Sequence, residues 1–124
     1  MSEEGASPLR VLLVEDEGGV ALLIEDMLEE LGCQVVASVA HLARAYEAAR
    51  SLRLDLAVLD VNLRGQSSFD LARTLGELGV PFLFSTGYGN GGVPDEFQDR
   101  PVLAKPFNLS DLRQALAAAL RSGT

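Results

Sequence analysis

Leu54-Asp55-Leu56-Ala57-Val58-Leu59-Asp60 is a short apolar run that stops abruptly at a carboxylate. Its length, and the Asn62, Arg64 and Gly65 that follow, fit a strand buried on both faces. Such a strand carries Asp60 to its carboxyl end, where open α/β sheets place their ligands. An acid there is either a strand terminator meeting water or a reactive group on a rigid support. The rest of the chain has to choose between the two.

Working outward, Leu9 to Val14 (LRVLLV) reads as a second buried strand that runs straight into Glu15-Asp16-Glu17. Val20, Leu23, Ile24, Met27, Leu28 and Leu31 then recur at the spacing of one helical face, with Glu25, Asp26, Glu29 and Glu30 opposite and Gly32 as a stop. Cys33 to Ala37 is a third strand, and His41 to Leu52 an alanine-rich helix with Leu42, Ala45, Ala49 and Leu52 inward. Beyond the organising strand, Ser67 or Ser68 caps a helix running to about Leu78, with Phe69, Ala72 and Leu75 inward. Val80 to Phe84 is a further strand ending at Ser85-Thr86. Gly87 to Arg100 shows only a faint helical face, so a fourth helix there is expected to be short or disordered. Val102 to Ala104 is the last strand, and Asn108 caps a final helix with Leu109, Leu112, Leu116, Ala119 and Leu120 inward. Strand and helix alternate about five times, which implies a doubly wound (βα)5, flavodoxin-like parallel sheet between two helical layers.

At 124 residues with 48% hydrophobic content, the chain has material for one core and little room for a second domain. Residues 1–8 read as a flexible N-terminal arm and 9–122 as one domain. A net charge of −8 argues against nucleic acid or anionic lipid as the main partner and suits a cation or a basic protein surface. The single cysteine, Cys33, excludes an internal disulfide framework and a cysteine-based zinc site. No signal segment and no membrane-length apolar stretch is visible, so a cytoplasmic location is expected.

In this architecture the carboxyl ends of four strands present Glu15-Asp16, Asp60, Thr86 and Lys105 along one edge. Lys105 is the chain's only lysine. Gathered carboxylates repel one another and call for a hard divalent cation; Mg²⁺ suits a few carboxylates plus water and substrate phosphate. Asp60 can then act as a nucleophile toward a phosphoryl group, with the cation and Lys105 neutralising charge and Thr86 offering a hydroxyl.

LLVED (Leu12 to Asp16), VLDVN (Val58 to Asn62), FST (Phe84 to Thr86) and AKPF (Ala104 to Phe107), in this order and at strand ends, resemble the CheY-like receiver domain of two-component response regulators. The resemblance covers nearly the whole chain. It implies that Asp60 accepts phosphate from a histidine kinase or a histidine phosphotransfer protein. It also implies that Glu15, Asp16, Asp60 and the Asn62 carbonyl hold Mg²⁺, Glu15 through water, and that Thr86 and Lys105 contact the phosphate. The Lys105–Pro106 peptide is usually cis in such proteins. No activity beyond self-phosphorylation and self-dephosphorylation is expected.

Three departures stand out. The loop after Asp60 (NLRGQSS) lacks the usual proline and Asp-Gly pair. Val102 occupies the position where many receivers carry a switch aromatic. Pro81 to Gly89 (PFLFSTGYG) resembles the FAT GUY subgroup of receivers, which work with HWE-type kinases and have a poorly formed fourth helix, with Ser85 where alanine is usual. Here Tyr88 is assigned part of the aromatic's switch role beside Thr86. Phosphate on Asp60 would draw Thr86 inward and bias Gly87 to Arg100 between two arrangements. No DNA-binding extension follows Thr124, so the expectation is a stand-alone monomer or weak dimer that signals by protein contact or acts as a phosphate sink. The alternatives are a phosphorylation-independent interaction module and a Rossmann-type enzyme fragment. The latter draws only on Gly87 to Gly92, which matches G-x-G-x-x-G after the wrong strand.

Overall fold

A computed structural model of the protein describes residues 7–87 and 92–122. Five strands form one parallel sheet: β1 (Leu9–Val14), β2 (Cys33–Val39), β3 (Leu56–Asp60), β6 (Phe82–Thr86) and β7 (Val102–Ala104), in the order β2-β1-β3-β6-β7. Between β3 and helix α3 (Phe69–Glu77) lies a two-stranded antiparallel ribbon of β4 (Asn62–Leu63) and β5 (Gln66–Ser67). The other helices are α1 (Gly18–Glu30), α2 (Leu42–Ser51) and α4 (Leu109–Ser122).

Alternation along the strands explains the layering. Val11 and Leu13 of β1, with Leu56 and Val58 of β3, face a core shared with Ala21, Ile24 and Leu28 of α1 and Leu112, Leu116 and Ala119 of α4. Leu12 and Val14, with Ala57 and Leu59, face the opposite core, shared with Ala45 and Ala49 of α2 and Leu71, Ala72 and Leu75 of α3. Both faces of the sheet are therefore dry, which is why its strands read as continuous apolar runs. Four phenylalanines occur in the second core. Phe97 meets the rings of Phe84 and Phe82 edge-on at 5.4 and 5.7 Å, and Phe69 at 6.1 Å.

The expected fold class is the observed one, and the bounds of β1 and β7 are those read from sequence. Where the faint fourth helix was expected, the described residues carry only a 3₁₀ turn, Asp95–Phe97, packed through Phe97. Asn108 caps α4 as expected: its side-chain oxygen accepts from the Asp111 amide at 2.8 Å, and Asp111 returns a bond to the Asn108 amide at 3.1 Å. Ser68 stands at the N-cap of α3 but makes no side-chain cap; its hydroxyl turns to the Val61 carbonyl at 3.4 Å. On α1 the buried stripe is Ala21, Ile24 and Leu28, with Val20, Met27 and Leu31 packed at its margin. Leu23, expected inward, is more than half exposed beside Leu22. The apolar stripe is wider than the contact, so periodicity alone does not locate its edge.

Candidate functional site

The strand ends converge as the topology requires. The Glu15 amide donates to the Val39 carbonyl and the Val61 amide to the Ser85 carbonyl, each at 3.0 Å, so the residues just past β1 and β3 stay in register with the sheet. The Lys105 amide donates to the Thr86 carbonyl at 2.8 Å, which fixes the segment after β7 beside the end of β6. The Lys105–Pro106 peptide is cis.

Lys105 Nζ donates to Glu15 Oε1 at 2.8 Å and to Asp60 Oδ2 at 3.3 Å. Asp60 Oδ1 accepts the Asn62 amide at 3.3 Å. Glu15 is buried behind the site, and its second oxygen accepts the Glu17 amide at 3.2 Å. Asp16 Oδ2 accepts the Arg64 amide at 2.9 Å, and the Asn62 side-chain oxygen accepts the Gly65 amide at 2.8 Å. Arg64 (φ 53°) and Gly65 (φ 84°) both lie in the left-handed region, which makes the β4–β5 connection a two-residue turn of the hairpin-favouring primed type. Thr86 is buried, and its side of the site is completed by Gly87.

Burial raises the Glu15 carboxyl above its ordinary 4.5; the Lys105 hydrogen bond opposes this, while the charge of Asp60 adds to it. At Lys105 burial acts downward, but the Glu15 hydrogen bond and the Asp60 charge outweigh it and the ammonium ends above its ordinary range. The two rises have different origins: burial dominates at Glu15, and the neighbouring carboxylates at Lys105.

An open pocket of about 380 Å³ is lined by Asp60, Asp16, Asn62, Thr86 and Lys105, with Glu17, Arg64, Gly65 and Gly87 around its rim. One carboxylate oxygen each from Glu15, Asp16 and Asp60 lie within 4.8 Å of one another. An all-oxygen set with two members facing an open pocket fits a hard divalent cation such as Mg²⁺. Glu15 belongs to the cluster without lining the pocket, an arrangement that suits contact through water.

All the strand-end residues singled out from the sequence are therefore brought together: Glu15, Asp16, Asp60, Asn62, Thr86 and Lys105. Val102 lies apart from them, half-buried, paired with Phe84 and packed on the phenylalanine core. Tyr88 falls outside the described residues. Sequence reasoning missed Arg64, whose amide holds Asp16. An X-Gly pair between two short polar segments is a turn signal, and it was the only available clue.

Residues 11–117 match the family model described as response regulator receiver domain, and the chain belongs to that family. Among solved structures, SdrG from Sphingomonas melonis Fr1 is 40% identical with a TM-score of 0.84, over 93% of this chain and 98% of that one. The BeF3-activated conformation of SdrG, from Pseudomonas melonis Fr1, is 42% identical with a TM-score of 0.79, over 93% and 99%. The receiver domain of the PhyR response regulator from Erythrobacter litoralis is 27% identical with a TM-score of 0.81, over 93% and 92%. The transcriptional regulatory protein PdtaR of Mycobacterium tuberculosis is 28% identical over 121 residues, which are 94% of this chain and 59% of that protein. The chain spans about half the length of the curated relatives it matches. Receiver domains of two-component systems interact with kinases or phosphotransfer proteins. The glycine stretch behind the Rossmann-type reading, Gly87 to Gly92, falls largely outside the described residues, and the family match makes the chain a receiver domain instead. No helix among the described residues is long and apolar enough to cross a membrane.

Proposed function

We propose that this chain is a phosphorylation-controlled regulator in which Asp60 accepts a phosphoryl group from a phosphohistidine. The observation carrying this reading is the position of Asp60: a buried carboxylate at a strand end, 3.3 Å from the lone lysine, opening into a pocket with Asp16 and Thr86. Asp60 attacks phosphorus, an O–P bond forms as the N–P bond breaks, and the bonding pair stays on the imidazole. The imidazole leaves neutral, its other nitrogen already carrying a proton. Lys105 neutralises the phosphoryl oxygens, and the Thr86 hydroxyl donates to one of them. Asp16, Asp60 and the Asn62 carbonyl would hold Mg²⁺ directly and Glu15 through water. When bound, the ion supplies further charge neutralisation at the transferred group.

Water attack on phosphorus later returns Asp60 as a carboxylate and releases inorganic phosphate. The chain acts on no other substrate in this reading. The donor would be a histidine kinase or phosphotransfer protein, of the HWE type given the likeness to the FAT GUY pattern. It would dock on α1, which exposes Leu22 and Leu23 and carries an acidic face. The chain works in the cytoplasm as a monomer or weak dimer, and its output is protein contact or withdrawal of phosphate from another regulator. Thr86 would couple phosphorylation to the segment ending at Arg100.

Incubation with Mg²⁺ and acetyl phosphate should add one phosphoryl group to the wild type and none to Asp60→Asn, read by intact-protein mass spectrometry. An unmodified wild type that still binds its partner would instead make the chain a phosphorylation-independent interaction module.

A further inference from the structure

We infer that Arg64 is a second cationic contact for the phosphoryl group, delivered to the pocket by the β4–β5 turn. The inference rests on the phosphoacceptor reading of Asp60 and adds a residue to it.

Three observations converge on Arg64. It lines the same pocket as Asp60, Thr86 and Lys105. Its backbone is anchored there, because its amide donates to Asp16 at 2.9 Å and the following residue, Gly65, donates to the Asn62 side chain at 2.8 Å. Its φ of 53° is the one positive value at a non-glycine residue among those described.

A primed two-residue turn favours Asn-Gly or Asp-Gly, since asparagine, aspartate and glycine enter the left-handed region most easily. Arginine gains nothing locally from that position. A departure from local preference at the rim of a reactive pocket calls for a functional account. Four of the five side chains nearest in role (Glu15, Asp16, Glu17 and Asp60) are acidic, with Lys105 the fifth, yet Arg64 makes no ion pair among the described residues. Its guanidinium therefore stays available. A dianionic phosphoryl group on Asp60 would add the charge that draws it in, and a planar fork of donors suits two phosphoryl oxygens better than an ammonium does. The turn itself need not move, since its hydrogen bonds fix only the backbone.

The test uses Arg64→Asn, which removes the charge and installs the preferred turn residue, and Arg64→Lys, which keeps the charge without the fork. Each variant of the full chain is titrated with beryllofluoride in saturating Mg²⁺, and separately with Mg²⁺ alone, following amide chemical shifts. One charge-assisted hydrogen bond corresponds to about a tenfold change in affinity. Arg64→Asn should bind beryllofluoride about tenfold more weakly than wild type, with Arg64→Lys between them and Mg²⁺ affinity the same in all three. Equal beryllofluoride affinity in wild type and Arg64→Asn would overturn the inference. So would a matching loss of Mg²⁺ affinity, which would mean that the residue acts only by holding Asp16. A wild type that binds Mg²⁺ but no beryllofluoride would remove the phosphoacceptor reading and this inference together.

Discussion

Two cations in this molecule each sit between two carboxylates, and they do different work. Lys105 lies 2.8 Å from Glu15 and 3.3 Å from Asp60, with side-chain exposures of 19%, 1% and 10%. Arg73 of α3 lies 2.7 Å from Glu96 of the 3₁₀ turn and also pairs with Asp70, with exposures of 43%, 48% and 83%. The two clusters have the same formal composition. In the first, burial limits how far water can screen the charges, and Glu15 and Lys105 are each shifted by burial and by the other. In the second, solvent screens the charges and long side chains can part at little cost. The lesson is that burial, and not the count of ion pairs, turns a carboxylate cluster into a chemical site.

The comparison breaks most visibly if the buried cation is removed. Lys105→Met leaves Glu15 and Asp60 facing each other with no counter-charge. It should cost roughly 3–5 kcal/mol at neutral pH, the range for breaking a buried pair. Urea denaturation measures it, and a second change, Glu15→Gln, should recover part of the loss. A Lys105→Met protein as stable as wild type would mean that the strand-end cluster is as well solvated as the Arg73 cluster.

Next in size is the contact that holds the 3₁₀ turn. Phe97 is buried against Phe82 and Phe84, while the ion pair above it is open to water. Phe97→Ala should lose about 3 kcal/mol, the low end for a buried aromatic because a three-residue turn can partly collapse into the space. If that loss were instead no larger than that of Glu96→Gln, the turn would be held by charge and not by the ring.

A smaller effect follows from the sign of the Glu15 shift. Its folded-state value lies above the ordinary 4.5 because burial and the Asp60 charge penalise the ionised form. The folded protein therefore binds this proton more tightly than the unfolded chain does. The contribution is fully present below the unfolded value and is lost as pH rises through the folded one. Stability measured on going up from pH 4.5 should fall more steeply in wild type than in Glu15→Gln, and the two curves should run parallel once Glu15 is fully ionised. Parallel curves throughout would mean that folding leaves the Glu15 carboxyl unshifted, and a wild-type curve that rises relative to Glu15→Gln would place it in an environment like that of Glu96, which its Arg73 partner holds below the carboxylate norm.

How much of this was legible in the sequence follows from the same contrast. The strand-end cluster could be read because β1 and β3 are apolar runs stopped by acids, and parallel topology leaves one edge for all of those ends. Leu23 was misplaced because α1 carries more apolar residues than the sheet can cover. Phe97 gave almost no signal: it stands alone in a polar, glycine-rich stretch, and only the packed rings of β6 and α3 show why it is buried. Arg64 was hidden for another reason. Its hold on Asp16 runs through a backbone amide, and any residue except proline supplies one.

The smallest expected effect tests the other half of the contrast. Arg73 joins α3 to the 3₁₀ turn through Glu96 and lies over the Phe97 ring at 5.7 Å, so on paper it resembles a clasp. Yet all three charges of this cluster face solvent, and ordering two long side chains offsets most of what their attraction returns. Glu96→Gln should move the urea midpoint by little more than experimental error, and the remaining difference should vanish at about 1 M salt, where the screening length is only about 3 Å. A large, salt-insensitive loss would mean that the pair is sealed from water when the protein is in solution. The exposed cluster would then share the coupled electrostatics of the strand-end site.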